Sequence, residues 1–234
     1  MNVEGRKALV FGGTSGIGLA TAKQLASLGA NVVAISRTPD RARDVLPGVT
    51  LSACDVRAGD AVAALCAEFA PYDILVGAAT GGERATGPFL GMDMDGYKRS
   101  FDKLWGYANC VRYGTQHLAL DGCIVLVSGA PARRSRMGQI ALSSVGGAVE
   151  AFVRGVAPEI APRRINVVSP GVINTPMFGP AGPERDAIAD KRSADHLIPR
   201  AGTADEVAQA ILFLIQNDFV TGTTVDVDGG WLLT

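Results

Sequence analysis

The 234-residue chain is 47% hydrophobic and 19% charged, enough to bury one large core and short for two domains of average size. Its 22 basic and 23 acidic residues leave a formal charge of −1, without the basic excess that a nucleic-acid binder needs. The 29 glycines and 12 prolines are scattered between apolar runs, which excludes a collagen-like or low-complexity chain.

Short apolar runs alternate with longer helical patterns along the chain. Lys7 to Phe11 reads as a strand, Gly16 to Leu28 as a helix, and Asn31 to Ser36 and Thr50 to Ser52 as strands. A helix from Ala58 to Phe69 leads to a strand from Asp73 to Ala78, then a long helix from Asp95 to Leu118. Gly122 to Val127 is the next strand, followed by a helix from Ile140 to Ile160 and a strand from Arg164 to Val168. Ala204 to Ile215 carries an apolar stripe at helical spacing, and Thr224 to Val227 is the last strand. Several of the strands are continuously apolar, as strands covered on both faces are. The expectation is a single doubly wound α/β domain of the Rossmann type, with a parallel sheet of about seven strands and helices on both faces. Residues 174–198, rich in Pro, Gly and charge, break the rhythm and read as a substrate lid.

The charged start Met1 to Lys7 leads into a short apolar run, unlike a signal peptide, and no run approaches the ~18 apolar residues of a membrane span. Cys54, Cys66, Cys110 and Cys123 form no C-x-x-C, and His117 and His196 are the only histidines. The expectation is a cytoplasmic protein with reduced thiols, no metal and no membrane or nucleic-acid partner.

The first strand runs into Phe11-Gly12-Gly13-Thr14-Ser15-Gly16-Ile17-Gly18, with a helix directly after. Such a turn lets backbone N–H groups approach a pyrophosphate at the positive end of the helix, and a tight structural turn is the lesser alternative for the glycines. The G-x-x-x-G-x-G spacing is one residue longer than the usual dinucleotide fingerprint.

With this turn the chain resembles the short-chain dehydrogenase/reductase family, over nearly its whole length. Phe11 stands where the family's T-G-x-x-x-G-I-G has Thr. Asp55-Val56 is similar to the family's adenine-contacting pair, and Pro170-Gly171-Val172-Ile173-Asn174-Thr175 to its P-G-x-I-x-T at the nicotinamide. Arg200 to Ala208, Thr221-Gly222 and Val227 to Gly230 resemble its C-terminal signature. The resemblance implies a nicotinamide dinucleotide held by Gly12, Thr14, Ser15, Gly16, Ile17 and Gly18, by Asp55, Val56, Ala78 and Ala79, and by Pro170, Gly171, Ile173 and Thr175. The second strand ends in Ser36-Arg37 and lacks the acid that accepts from a ribose 2′-hydroxyl, so NADP(H) is expected over NAD(H). The family also implies a homodimer or homotetramer packed through its two long helices.

The resemblance stops at the chemistry. The family's Y-x-A-S-K-x-A-V-E-A-F is met by Leu142 to Phe152, which puts Leu142 on the tyrosine and Gly146 on the lysine. Lys103 stands on the family's asparagine, and the catalytic serine falls on Ser128 or Gly129. The family's N-N-A-G is Gly77-Ala78-Ala79-Thr80. One reading is a rebuilt site that acts on an activated carbonyl, imine or quinone-like small molecule, or that uses the cofactor to assist another reaction. In it Lys103 reaches into the space vacated at Gly146, Ser128 orients the substrate and Arg133 faces a polarised oxygen. Tyr107, on the same helix face as Lys103, Tyr113, and His196 in the lid are further titratable candidates. The alternative is a catalytically inactive NADP(H)-binding sensor or scaffold.

Overall fold

A computed structural model describes residues 1–80 and 82–234, with the side chains of 43–45 outside the described set. Seven strands form one sheet: β1 (Lys7–Phe11), β2 (Asn31–Ser36), β3 (Thr50–Ala53), β4 (Tyr72–Gly77), β5 (Leu118–Val127), β6 (Arg164–Pro170) and β7 (Thr224–Val227). Their order is β3-β2-β1-β4-β5-β6-β7, and every pairing is parallel. The apolar runs form the inner strands because both faces are covered: Leu9 and Phe11 join one core layer, Ala8 and Val10 the other.

The helices are α1 (Gly16–Ser27), α2 (Gly59–Glu68), α3 (Met94–Ser100), α4 (Asp102–Gly114), α5 (Ile140–Ile160), α6 (Pro183–Ser193) and α7 (Ala204–Gln216). The apolar stripe of α7 buries Val207, Ile211, Leu214 and Ile215, and its start is closed by a capping box between Thr203 and Glu206. The long helix expected over 95–118 is two helices. Asp93 caps the first through Asp95 N and Gly96 N, and the Ser100 hydroxyl donates to Gly96 O while accepting from Ala85 N–H. Phe101 N–H turns to Lys98 O at 3.0 Å, which ends α3, and α4 restarts at Asp102.

By length and apolarity α5 could cross a membrane, which the count of apolar residues did not anticipate. Here it packs against β6, α3 and α4.

Residues 174–198, expected as a lid, contain a 3-10 turn (Pro176–Phe178) and α6. Asn174 Nδ2 donates to Asp186 Oδ1 at 2.7 Å, and Arg136 holds the far end of α6 through Asp195 and the Arg192 carbonyl.

The strand order reverses between β1 and β4. There the connections leave in opposite directions and a crevice opens beyond the carboxyl ends of the strands.

Candidate active site

The crevice is built first from backbone. Gly12 N–H donates to Ile35 O at 2.8 Å and Ala78 N–H to Phe11 O at 2.8 Å, which fastens the β1–α1 turn to the ends of β2 and β4. Gly12 has φ +81°, and a Cβ there would lie 2.6 Å from Ala79 N. A Cβ on Gly18 would lie 2.1 Å from Gly12 O, so the first turn of α1 folds directly onto the loop before it. Only glycine permits either approach.

The pocket beside this turn is lined by Gly12, Thr14, Ser15, Ser36, Arg37, Asp55, Val56, Ala78 and Ala79. These residues come from four strand ends, and Ile35, Cys54 and Thr80, which the sequence did not assign to the ligand, complete the lining. Ser36 Oγ is buried there without a hydrogen-bond partner, and Arg37 is exposed at the rim. An unsatisfied buried hydroxyl is costly, which makes the pair a ready receptor for a polar group. Asp55 is gripped by Arg57, with Nη2 2.6 Å from Oδ2, and this bond holds its carboxyl down at about 2. Val56 packs on Gly106, where a Cβ would lie 2.6 Å from Val56 Cγ2. Gly106 is the glycine that follows Lys103 at the family's N-x-x-G spacing.

At the other end of the crevice, Thr175 lies over the glycine turn, with its Cβ 3.6 Å from where a Gly16 Cβ would be. Gly171 N–H donates to Val227 O at 3.0 Å, which fixes the loop after β6 on β7. Ile173 sends its side chain into the core, leaving its backbone as the part near the crevice.

The residues around the expected proton-transfer apparatus are arranged differently from the sequence reading. Leu142, Gly146 and Glu150 share one face of α5, four residues apart. The turn Ala130–Ala132 lies on that face, and a Cβ on Gly146 would meet Ala132 Cβ at 3.0 Å. The space expected to be vacant beside Gly146 is therefore filled by the chain itself. The Ser128 hydroxyl donates to Glu150 Oε1 at 3.1 Å in the interior and is committed there. Gly129, the next residue along the extended backbone, has no hydroxyl to offer. Arg133 pairs with Asp226 and has its Nε 3.6 Å from Glu150 Oε1, so its guanidinium is committed to two carboxylates instead of facing a substrate oxygen.

Lys103 is buried, and its Nζ donates to Ser128 O at 3.1 Å. Burial, with the charge of Arg84 added, lowers its pKa to about 7. Tyr107 lies beneath it but donates to Val127 O at 3.2 Å, and burial raises its pKa, so it is a packed core phenol. Tyr113 lies away from this cluster, its ring edge against Gly59 at the start of α2. His196 is buried and stacked on Trp231, and burial lowers its pKa, which opposes a charged donor.

Sequence reasoning missed Arg84 and Glu150. Arg84 follows β4 in a loop of small residues and carries no motif. Glu150 was visible as an acid inside an apolar helix face, four residues beyond Gly146, and this was a signal for a buried partner. Among the described residues no group of three or more His, Cys, Asp or Glu side chains is arranged to hold a metal.

The family model described as enoyl-(acyl carrier protein) reductase matches residues 12–232. L-Xylulose reductase of Bos taurus is 32% identical, covering 100% of this chain and 99% of its own. Short-chain reductase protein NovJ of Streptomyces niveus is 30% identical over 95% and 92% of the two chains. A crystal structure of a small-chain dehydrogenase in complex with NADPH superposes with a TM-score of 0.85 at 30% identity, covering 99% of this chain and all of that one.

Proposed function

The chain belongs to the short-chain dehydrogenase/reductase family, and we propose that it is an NADP(H)-dependent oxidoreductase whose proton chemistry has moved to Lys103. The observation that carries this reading is the buried Lys103, which donates to Ser128 O at the end of β5 and whose pKa burial lowers to about 7.

The residues fit the cofactor. The glycine turn from Gly12 to Gly18 offers N–H groups to a pyrophosphate, and Asp55, Val56, Ala78 and Ala79 form walls for an adenosine. Pro170, Gly171, Ile173 and Thr175 provide the backbone at the nicotinamide end. The orphaned Ser36 hydroxyl and the Arg37 fork suit a 2′-phosphate better than a bare hydroxyl. An NADPH-bound relative supports the same choice. When bound, NADPH supplies a hydride.

Lys103 holds a proton at Nζ. A group with a pKa near the working pH is both charged often enough and acidic enough to give that proton up. Its single hydrogen bond to Ser128 O leaves two N–H directions for a substrate oxygen or nitrogen. Without tyrosine at position 142, an ordinary ketone is a poor acceptor, and an imine, quinone or conjugated carbonyl needs less acid assistance.

A second reading has its own support. Ala132 on Gly146 and the Ser128–Glu150 bond close the face on which the family carries out its chemistry, which favours a cofactor-binding sensor without turnover. Mixing the protein with NADPH and a panel of ketones, imines and quinones, while following the absorbance of the reduced cofactor, separates the two. Oxidation of NADPH by activated acceptors, lost in Lys103→Met, is the expected result. NADPH binding with no oxidation by any acceptor assigns the sensor instead.

The reading extends to a homodimer or homotetramer through α4 and α5. About a third of the apolar stretch of α5 is buried within one chain, and Trp105 on α4 is 63% exposed.

A further inference from the structure

Two cations beyond the end of β4, Arg84 and Lys103, pair with no carboxylate among the described residues. Arg84, in the loop after β4, is half-buried, and its one bond is from Nη1 to Met177 Sδ at 3.5 Å, a weak acceptor on the lid. It forms no ion pair among the described residues. Lys103 is buried close enough for the two charges to repel, and its acceptor among the described residues is the Ser128 carbonyl.

The acids nearby are occupied elsewhere. Asp102, next to Lys103 in the chain, lies 3.6 Å from Arg57 Nη1. Glu150 accepts from Ser128 and faces Arg133, and Asp226 is taken by the same arginine. Glu83 is exposed. Two like charges brought out of water without a counterion destabilise the fold unless something else requires them.

We propose that Arg84 and Lys103 form an oxyanion-binding subsite, which takes a carboxylate or phosphate group of the substrate beneath Met177 of the lid. The proposal rests on the reading of this crevice as a substrate site. The guanidinium offers a planar pair of N–H donors matched to either group, and the ammonium adds a second charge. Met177 is 61% exposed and unbranched, so it can turn aside to admit the ligand and close over it afterwards.

Titration calorimetry with benzoate, phenyl phosphate and benzamide tests this on the intact protein. Benzoate or phenyl phosphate should bind and benzamide, of the same shape without charge, should not. The preferred anion distinguishes a carboxylate from a phosphate substrate. Arg84→Gln and Lys103→Met should each weaken anion binding at least about tenfold, the loss of one charge-assisted bond. Arg99→Gln, on an exposed helix and paired with Asp93, should leave it unchanged. Benzamide binding as tightly as both anions, or full anion affinity in Arg84→Gln, overturns the proposal. The wild-type comparison decides the matter even where a variant fails to fold. Titrating the same preparation with NADPH keeps the two readings apart. NADPH binding without anion binding refutes the subsite alone, and anion binding without NADPH binding refutes the cofactor assignment alone.

Discussion

The ammonium of Lys103 lies 3.1 Å from the backbone carbonyl of Ser128, at the point where β5 leaves the sheet. Lys103 occupies the family's asparagine position on α4, and Ser128 is one of the two positions on which the family's serine could fall. Their contact is made through backbone instead of the serine hydroxyl, which turns away to Glu150. The buried charge of the crevice thus comes from α4, while the face of α5 that carries Leu142 and Gly146 is covered by the turn at Ala132.

That burial gives stability a pH dependence of definite sign. The folded protein holds Lys103 at about 7, whereas an unfolded lysine keeps 10.5. Between those values the unfolded chain binds a proton that the folded one lacks, so stability rises with pH across the window. The Lys103 contribution to the slope is at most ~1.4 kcal/mol per pH unit. Denaturant unfolding from pH 6 to 10 should show Lys103→Met more stable than wild type at pH 6, with the gap closing as pH rises. A gap that stays constant rules out a buried, shifted lysine.

Cofactor preference should follow Ser36 and Arg37. Calorimetry is expected to give tighter binding of NADPH than of NADH, with the difference shrinking about tenfold in Arg37→Ala. Ser36→Asp should reverse the preference, because a carboxylate accepts from a 2′-hydroxyl and repels a 2′-phosphate. Tighter NADH binding by the wild type would defeat this assignment.

Gly18→Ala should be severe. Its Cβ would lie 2.1 Å from Gly12 O, a backbone atom that cannot move without displacing the β1–α1 turn. A loss of about 2–3 kcal/mol is expected, read as a fall in Tm of roughly 5–10 °C, together with loss of cofactor binding. An unchanged Tm contradicts the packing described.

Restoring the family's residues should not restore its reaction. In Leu142→Tyr/Gly146→Lys the new lysine starts 3.0 Å from Ala132 Cβ, so its stem must displace the turn at 130–132. The double variant is expected to melt lower than wild type and to leave simple ketones unreduced in an NADPH absorbance assay. Robust ketone reduction would mean that the turn yields easily.

The capping box of α7 offers a local test of the C-terminal signature. Thr203 accepts from Glu206 N at 3.2 Å, and Glu206 Oε2 accepts from Thr203 N–H at 2.7 Å. Thr203→Ala should cost about 1 kcal/mol, roughly 2–4 °C in Tm, with cofactor affinity retained. A fall in affinity without a change in Tm would instead tie this cap to the crevice.

The sheet, its parallel sense and the glycine turn were legible in the chain, because apolar periodicity and glycine placement are local properties with strong steric consequences. Even there, the helix expected over 95–118 breaks at Phe101, whose N–H turns to Lys98 O. The positions assigned to a cofactor were legible as strand ends, because short motifs mark where strands stop and this topology gathers those ends into one crevice. The partners of the polar side chains were not. Ser128 had two directions open to it, and Glu150, 22 residues away, determined which one it took. Arg133 found Asp226 across 93 residues, and Arg84 was left with Met177 and no acid. The sequence by itself determined the fold, its glycine turn and the presence of Leu142 and Gly146 on α5. Only the tertiary structure decided which charges remain unpaired, because the pairing of a buried charge depends on what other distant segments bring beside it.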